Sequence, residues 1–227
     1  MTRVWIFCLL MFSATLSSAQ PRAGLSAREI LDKTVSVYAS CSSYADTGEV
    51  KDVFLKTQRQ VLRPFSTAFV RPSQFRFEFE DNNGLRSDYV VWQSGPSVRN
   101  WWSVKPEIRS FETLALALAS ATGVSGGSAV QVPSMLFGDL HDSHPIQTLS
   151  ELVLTGEEKI GERPAYKIKG MAGQDHEMTI WIDEESFLLL KTLEIRQLVN
   201  SGEVEKTTTY KPEINTRLSA DKLAFKH

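Results

Sequence analysis

The densest cluster of chemically able side chains in this 227-residue sequence is Gly138-Asp139-Leu140-His141-Asp142-Ser143-His144-Pro145, which sets two carboxylates and two imidazoles within six positions. All four are metal-ligand types. Their spacing is not that of a helical zinc site, however, and a short loop ending in proline holds ligands poorly. Asp, His, Ser and Pro are also the composition of an exposed loop after a helix. His176, in Gly173-Gln174-Asp175-His176, reads as a turn residue. The nucleophile candidates are no stronger. Ser128, in Gly126-Gly127-Ser128-Ala129, lacks the strand-turn-helix setting of a nucleophile elbow. Cys41 has no histidine that sequence alone brings beside it. The acids Glu157-Glu158 and Asp183-Glu184-Glu185 fall in turn-like or edge positions. There is no P-loop, dinucleotide fingerprint, HExxH helix or CxxC pair. The expectation is a non-enzyme with no metal and no cofactor.

What remains is apolar. The chain is 42% hydrophobic, 10% aromatic and 23% charged, with a formal net charge of −2. That composition excludes a disordered chain or a coiled coil. Without a basic stripe it also argues against a nucleic-acid partner. The N-terminus has the three parts of a secretory signal peptide: Arg3, the 13-residue apolar run Val4–Leu16, and Ser17-Ser18-Ala19 before a cut at Gln20. The run is too short to span a bilayer, and Cys8 sits in its middle, which argues against a lipid anchor. Residues 1–19 are therefore expected to be removed and the remaining 20–227 to form one periplasmic domain. Cleavage leaves Cys41 as the single cysteine, expected to be a buried, inert thiol.

The elements follow from periodicity. Ser26-Ala27-Arg28-Glu29 has the form of a capping box, and Ile30, Leu31, Thr34, Val35, Tyr38 and Cys41 recur at helical spacing, which predicts a helix over about 26–42. From Tyr44 the period becomes two. Ser73–Glu80 alternates Phe75, Phe77 and Phe79 with Arg76, Glu78 and Glu80. Weaker strands fit Gly48–Lys56, Gln58–Arg63, Ser66–Arg71, Asp88–Gln93 and Val98–Val104. A second set fits Leu152–Ile160, Ala165–Gly170, Glu177–Asp183, Leu188–Val199 and Val204–Lys211. Ten or eleven strands joined by short loops make an antiparallel meander that must curl. The fold class is α+β: a strongly curved antiparallel sheet, an unclosed β-barrel, with an N-terminal helix.

The middle departs from this pattern. Thr113–Gly138 holds 26 residues without a charge, interrupted by Gly123, Gly126, Gly127 and Pro133. Two short helices over 110–122 and 128–137 with a glycine-rich hinge fit it. Its two readings are a buried core pair and a mobile lid or plug, an insert at about 110–138, over a hydrophobic cavity. The candidate cavity and lid residues are Phe75, Phe77, Phe79, Trp92 and Trp102, then Ile180 and Leu189, with Leu114, Leu116, Leu118, Met135 and Leu136 on the lid.

The order of several motifs resembles the LolA/LolB-type lipoprotein carrier superfamily, in particular its uncharacterised exported branch. These are the helix ending at Cys41-Ser42-Ser43-Tyr44, R-P-S-Q-F-R-F-E-F at 71–79, G-E-E-K-I-G-E-R-P-A-Y-K-I-K-G at 156–170, I-W-I-D-E-E-S-F-L-L-L-K at 180–191 and T-T-T-Y-K-P-E-I-N at 207–215. The resemblance implies an unclosed barrel covered by helices around a cavity for lipid acyl chains. The expected function is a non-catalytic periplasmic carrier, acting as a monomer, that binds the acyl chains of a lipid or lipoprotein. The alternative is a module of the same fold that binds an envelope protein or senses stress and carries no ligand.

Overall fold

The computed structural model describes residues 24–81, 87–138, 140, 146–173, 176–198 and 202–225. The expected signal peptide at 1–19 lies outside them, as do Asp139, His141, Asp142, Ser143, His144 and Pro145 of the polar loop.

Helix α1 spans Ala27–Ser40. Its start is fixed reciprocally: the Ser26 hydroxyl accepts from the Glu29 N–H, and the Glu29 carboxylate accepts from the Ser26 N–H at 2.8 Å. Ala27, Ile30, Leu31, Thr34 and Tyr38 form its buried stripe. Six strands follow: β1 (Ser43–Phe54), β2 (Arg59–Val70), β3 (Gln74–Asp81), β4 (Ser87–Ser94), β5 (Ser97–Trp102) and β6 (Lys105–Phe111). Helices α2 (Leu114–Thr122) and α3 (Ser128–Phe137) come next, then β7 (Ser150–Ile160), β8 (Arg163–Ala172), β9 (His176–Asp183), β10 (Leu189–Leu198) and β11 (Gly202–Tyr210), the short β12 (Glu213–Ile214) and a terminal turn of helix α4 (Ala220–Leu223).

The twelve strands form one antiparallel sheet in the order β6-β5-β4-β3-β2-β1-β11-β10-β9-β8-β7, with β12 beside β1. Two sequential meanders therefore meet at a single seam, where Gly48 of β1 lies opposite Tyr210 of β11 and Phe54 opposite Val204. The sheet does not close: β6 and β7 are its free edges, and the chain passes from one to the other through α2 and α3. This is the α+β unclosed barrel that the sequence implies. No described helix is long and apolar enough to cross a membrane.

Four details differ from expectation, each for a local reason. β1 begins at Ser43 rather than Gly48 because Tyr44-Ala45-Asp46 is already paired with Thr67-Ala68-Phe69. β2 runs unbroken through Pro64, which lies just beyond the β2–β3 ladder starting at Phe65↔Phe79, so its missing N–H breaks no bond on that side. β6 was not expected at all. Its side chains are almost all exposed, leaving no alternation to read. With 105–111 in a strand, α2 starts at Leu114, where the Thr113 hydroxyl accepts from the Leu116 N–H at 3.2 Å.

Candidate functional site

Cross-strand pairs assign faces, because directly opposite residues share one. Phe75, Phe77 and Phe79 stand opposite Phe69, Thr67 and Phe65 on one side and Gln93, Val91 and Tyr89 on the other. This is the concave face, and it continues through Trp102 to Tyr210, Met178, Ile180 and Ile182. The helices lie against it: Leu114 and Leu118 from α2, and Met135 and Leu136 from α3, join the same core cluster as Phe75, Phe77, Phe79, Ile180 and Leu189. Ten of the twelve sequence-derived residues are thus brought together. The edge-on pairs Phe69–Phe137 and Phe75–Phe137, 4.9 and 5.4 Å between centroids, tie the end of α3 to the sheet.

Two of the twelve are placed elsewhere. Trp92 pairs with Arg76, on the opposite, convex face, where the Phe225 ring stacks on it at 4.1 Å and 7°. Alternation along β4 dictates this, since Tyr89 and Val91 already point inward; Trp92 was assigned inward on its residue type rather than its parity. Leu116 is 53% exposed on the outer side of α2, while Leu114, Ala117, Leu118 and Ala121 form the buried side. A helix apolar all round does not reveal from sequence which side faces in.

α3 is the centre of the site. Every residue from Ser128 to Leu136 is buried, the segment carries no charge, and its flanking glycines Gly127 and Gly138 adopt left-handed conformations at φ 95° and 68°. Pro133 within it removes one backbone donor. Four polar anchors hold it. The Gln131 amide donates to Glu194 Oε1 at 3.3 Å and accepts from the Tyr210 hydroxyl. Lys206 Nζ donates to the Gly126 carbonyl at 2.9 Å. The Gln147 amide donates to the Ser134 carbonyl at 3.0 Å. Arg71 donates to the Leu136 carbonyl at 2.9 Å and also to the Cys41, Ala39 and Tyr38 carbonyls, so one guanidinium serves the last turns of α1 and α3.

Beneath the α2–α3 hinge the concave face turns from apolar to charged. Arg63 pairs with Asp52 at 2.6 Å and lies 3.6 Å from Asp81. Glu194, 2% exposed at its side chain, pairs with Arg196 and lies 4.0 Å from His176. Burial, then the nearby Arg196 charge, hold the Lys206 amine below its ordinary range. His176 is the first residue of β9 rather than a turn residue. A Cβ on Gly126 would come within 2.9 Å of Val50, so the hinge seats there only as glycine.

Higher on the same face, Asp46 is buried among Tyr38, Tyr44 and Tyr210. Its Oδ2 accepts from the Tyr44 hydroxyl at 2.7 Å and its Oδ1 from the Thr67 N–H at 2.8 Å. Desolvation outweighs both bonds and raises its pKa to about 6. Sequence reasoning missed Asp46, Gln131, Lys206 and Glu194. For Asp46 a signal existed: Tyr44, Asp46, Gly48 and Val50 alternate with the inward parity, which a strand begun at Gly48 hides. Cys41 is buried, and desolvation raises its thiol pKa, which makes it a poor nucleophile. No group of His, Cys, Asp or Glu among the described residues could hold a metal. The concave face is thus apolar under α2 and α3 and charged beneath the hinge that joins them.

No family model matches the chain, and no curated protein matches it in sequence. Solved structures do match. MucB is 15% identical with a TM-score of 0.52, over 88% of this chain and 62% of the MucB chain. LprF from Mycobacterium bovis is 10% identical with a TM-score of 0.50, over 85% of this chain and 94% of that one. Mycobacterium tuberculosis lipoprotein LppX is 13% identical with a TM-score of 0.49, over 86% and 98%. The chain spans about three-fifths of the MucB chain that it matches. Likeness at such low identity speaks to architecture: two meanders joined at one seam, curved round a helical layer, make this a chain with the LolA-like fold.

Proposed function

We propose that the protein is a non-catalytic periplasmic carrier, acting as a monomer, that takes the acyl chains of a lipid or lipoprotein against its concave face when α2 and α3 give way. The observation that supports this is α3 itself: an uncharged segment buried for nine consecutive residues, hung between two left-handed glycines and held by few polar bonds. The energetics suit exchange. A chain of 14–16 carbons gains about 10 kcal/mol gross on burial, at about 0.8 kcal/mol per methylene. Displacing α3 returns its own buried apolar side chains to water, which offsets part of that gain and keeps uptake reversible.

One observation favours a second reading. Tyr38, Phe69, Phe75, Phe77, Phe79, Leu118, Met135 and Leu136 are each under 2% exposed, so in this state side chains fill the interior. A module that binds an envelope protein through its surface needs no more than that. Native mass spectrometry of protein purified from a periplasmic extract, followed by lipid analysis, separates the two. A co-purifying acyl species, with uptake increased in Gln131→Ala, supports the carrier. A clean apo mass and no uptake of added fatty acid or phospholipid refutes it and leaves the interaction module.

A further inference from the structure

A wide cleft is found away from the α2–α3 layer. It lies on the convex side, between the ends of β2, β3 and β4 and the C-terminal segment 215–225, and encloses about 930 Å³. That is within the roughly 300–1,000 Å³ typical of small-molecule sites. One wall is apolar: Val70, Trp92, Leu218, Leu223 and Phe225. The charged residues lining it are both cationic, Arg71 and Arg217, and no acidic side chain lines it. Arg71 is committed to four backbone carbonyls and contributes potential rather than a free fork. Arg217 is exposed and forms no ion pair with any described residue. A guanidinium beside an aliphatic and aromatic wall complements one ligand chemistry: an anionic head on a single apolar chain.

We propose that this cleft is a second binding site, for a single-chain amphiphile with an anionic head. The head sits on Arg217 and the chain lies along Leu218, Leu223 and the Trp92–Phe225 stack. The wall that takes the chain lies on the convex face, because Trp92 and Phe75 point to opposite sides of the sheet. Arg217, Leu218, Leu223, Trp92 and Phe225, which hold the head and the chain, all lie outside α2 and α3.

The test uses the full chain with dodecanoate, dodecyl phosphate and dodecanol, by isothermal titration and by co-crystallisation with dodecanoate. The two anions are expected to bind at least about tenfold more tightly than dodecanol, and Arg217→Glu to weaken dodecanoate about tenfold. Ala224→Trp, which fills the cleft from an exposed position, is expected to abolish that binding, and thermal unfolding of both variants checks that they fold. Dodecanoate density between Trp92 and the 215–225 segment completes the case. Equal affinity for dodecanol, indifference to Arg217→Glu, or no binding overturns the proposal. Density on the concave face alone also overturns it, while leaving the carrier reading in place.

Discussion

Asp46→Asn should flatten the dependence of stability on pH. In the native protein Asp46 is buried, and desolvation raises its pKa to about 6 from 3.8. Between those values the folded state holds a proton that the unfolded state has released. Raising the pH through this window therefore costs stability, and the cost is complete above about pH 6. At about 1.4 kcal/mol per pH unit, the gap amounts to about 3 kcal/mol. The titratable groups around Asp46 are Tyr38 on α1, Tyr44 on β1 and Tyr210 on β11, whose pKa values burial raises, so none titrates near neutrality. In the variant the amide oxygen still accepts from the Thr67 N–H and nothing titrates. Urea unfolding followed by tryptophan fluorescence at pH 4.5 and 7.5 gives two free energies for each protein. The native protein should lose about 2 kcal/mol more than the variant between them, since about a third of the 3 kcal/mol is already lost at pH 4.5. Parallel profiles would refute the reasoning, for then Asp46 is either hydrated or already charged without penalty.

The remaining predictions concern packing and anchors. Gly48→Ala puts a Cβ 2.3 Å from both the Phe65 ring and the Thr209 carbonyl, so unfolding free energy should fall by about 3 kcal/mol; a loss below about 1 kcal/mol would mean that the seam yields easily. Lys206→Met removes the bond to the Gly126 carbonyl, at a cost of about 1 kcal/mol, and should speed proteolysis within residues 123–127 severalfold under native conditions. Phe225→Ala strips the ring from Trp92 and should cost about 1 kcal/mol, with a red-shifted emission open to iodide quenching; an unchanged spectrum would place the C-terminal segment off the sheet in solution.

Periodicity made most of the fold legible. The α1 capping box, the phenylalanine alternation of β3 and the limits of α3 at 128–137 follow from sequence alone. β6 was invisible because an exposed edge strand buries nothing that would impose a period. The site was legible as composition but not as placement. Trp92 shows that a large aromatic goes where its parity sends it, here outward under Phe225. The polar anchors were hidden for another reason. Gln131 and Glu194 are 63 positions apart and meet only through tertiary packing, and a lone glutamine in an apolar run has no local signature.

The seam between β1 and β11 carries a consequence for the order in which the chain acquires its structure. Within each meander every strand pairs with its neighbour in sequence, so hairpin closures of a few residues suffice. β1 and β11 join residues such as Val50 and Thr208, between which almost the whole sheet lies. Loop-closure entropy makes that contact the slowest to earn. The two halves should form first and dock last, with the α2–α3 crossing trapped between them as they close. Pulse-labelled hydrogen exchange would then find the amides of the β1–β11 ladder protected after those of the hairpins β3–β4 and β8–β9.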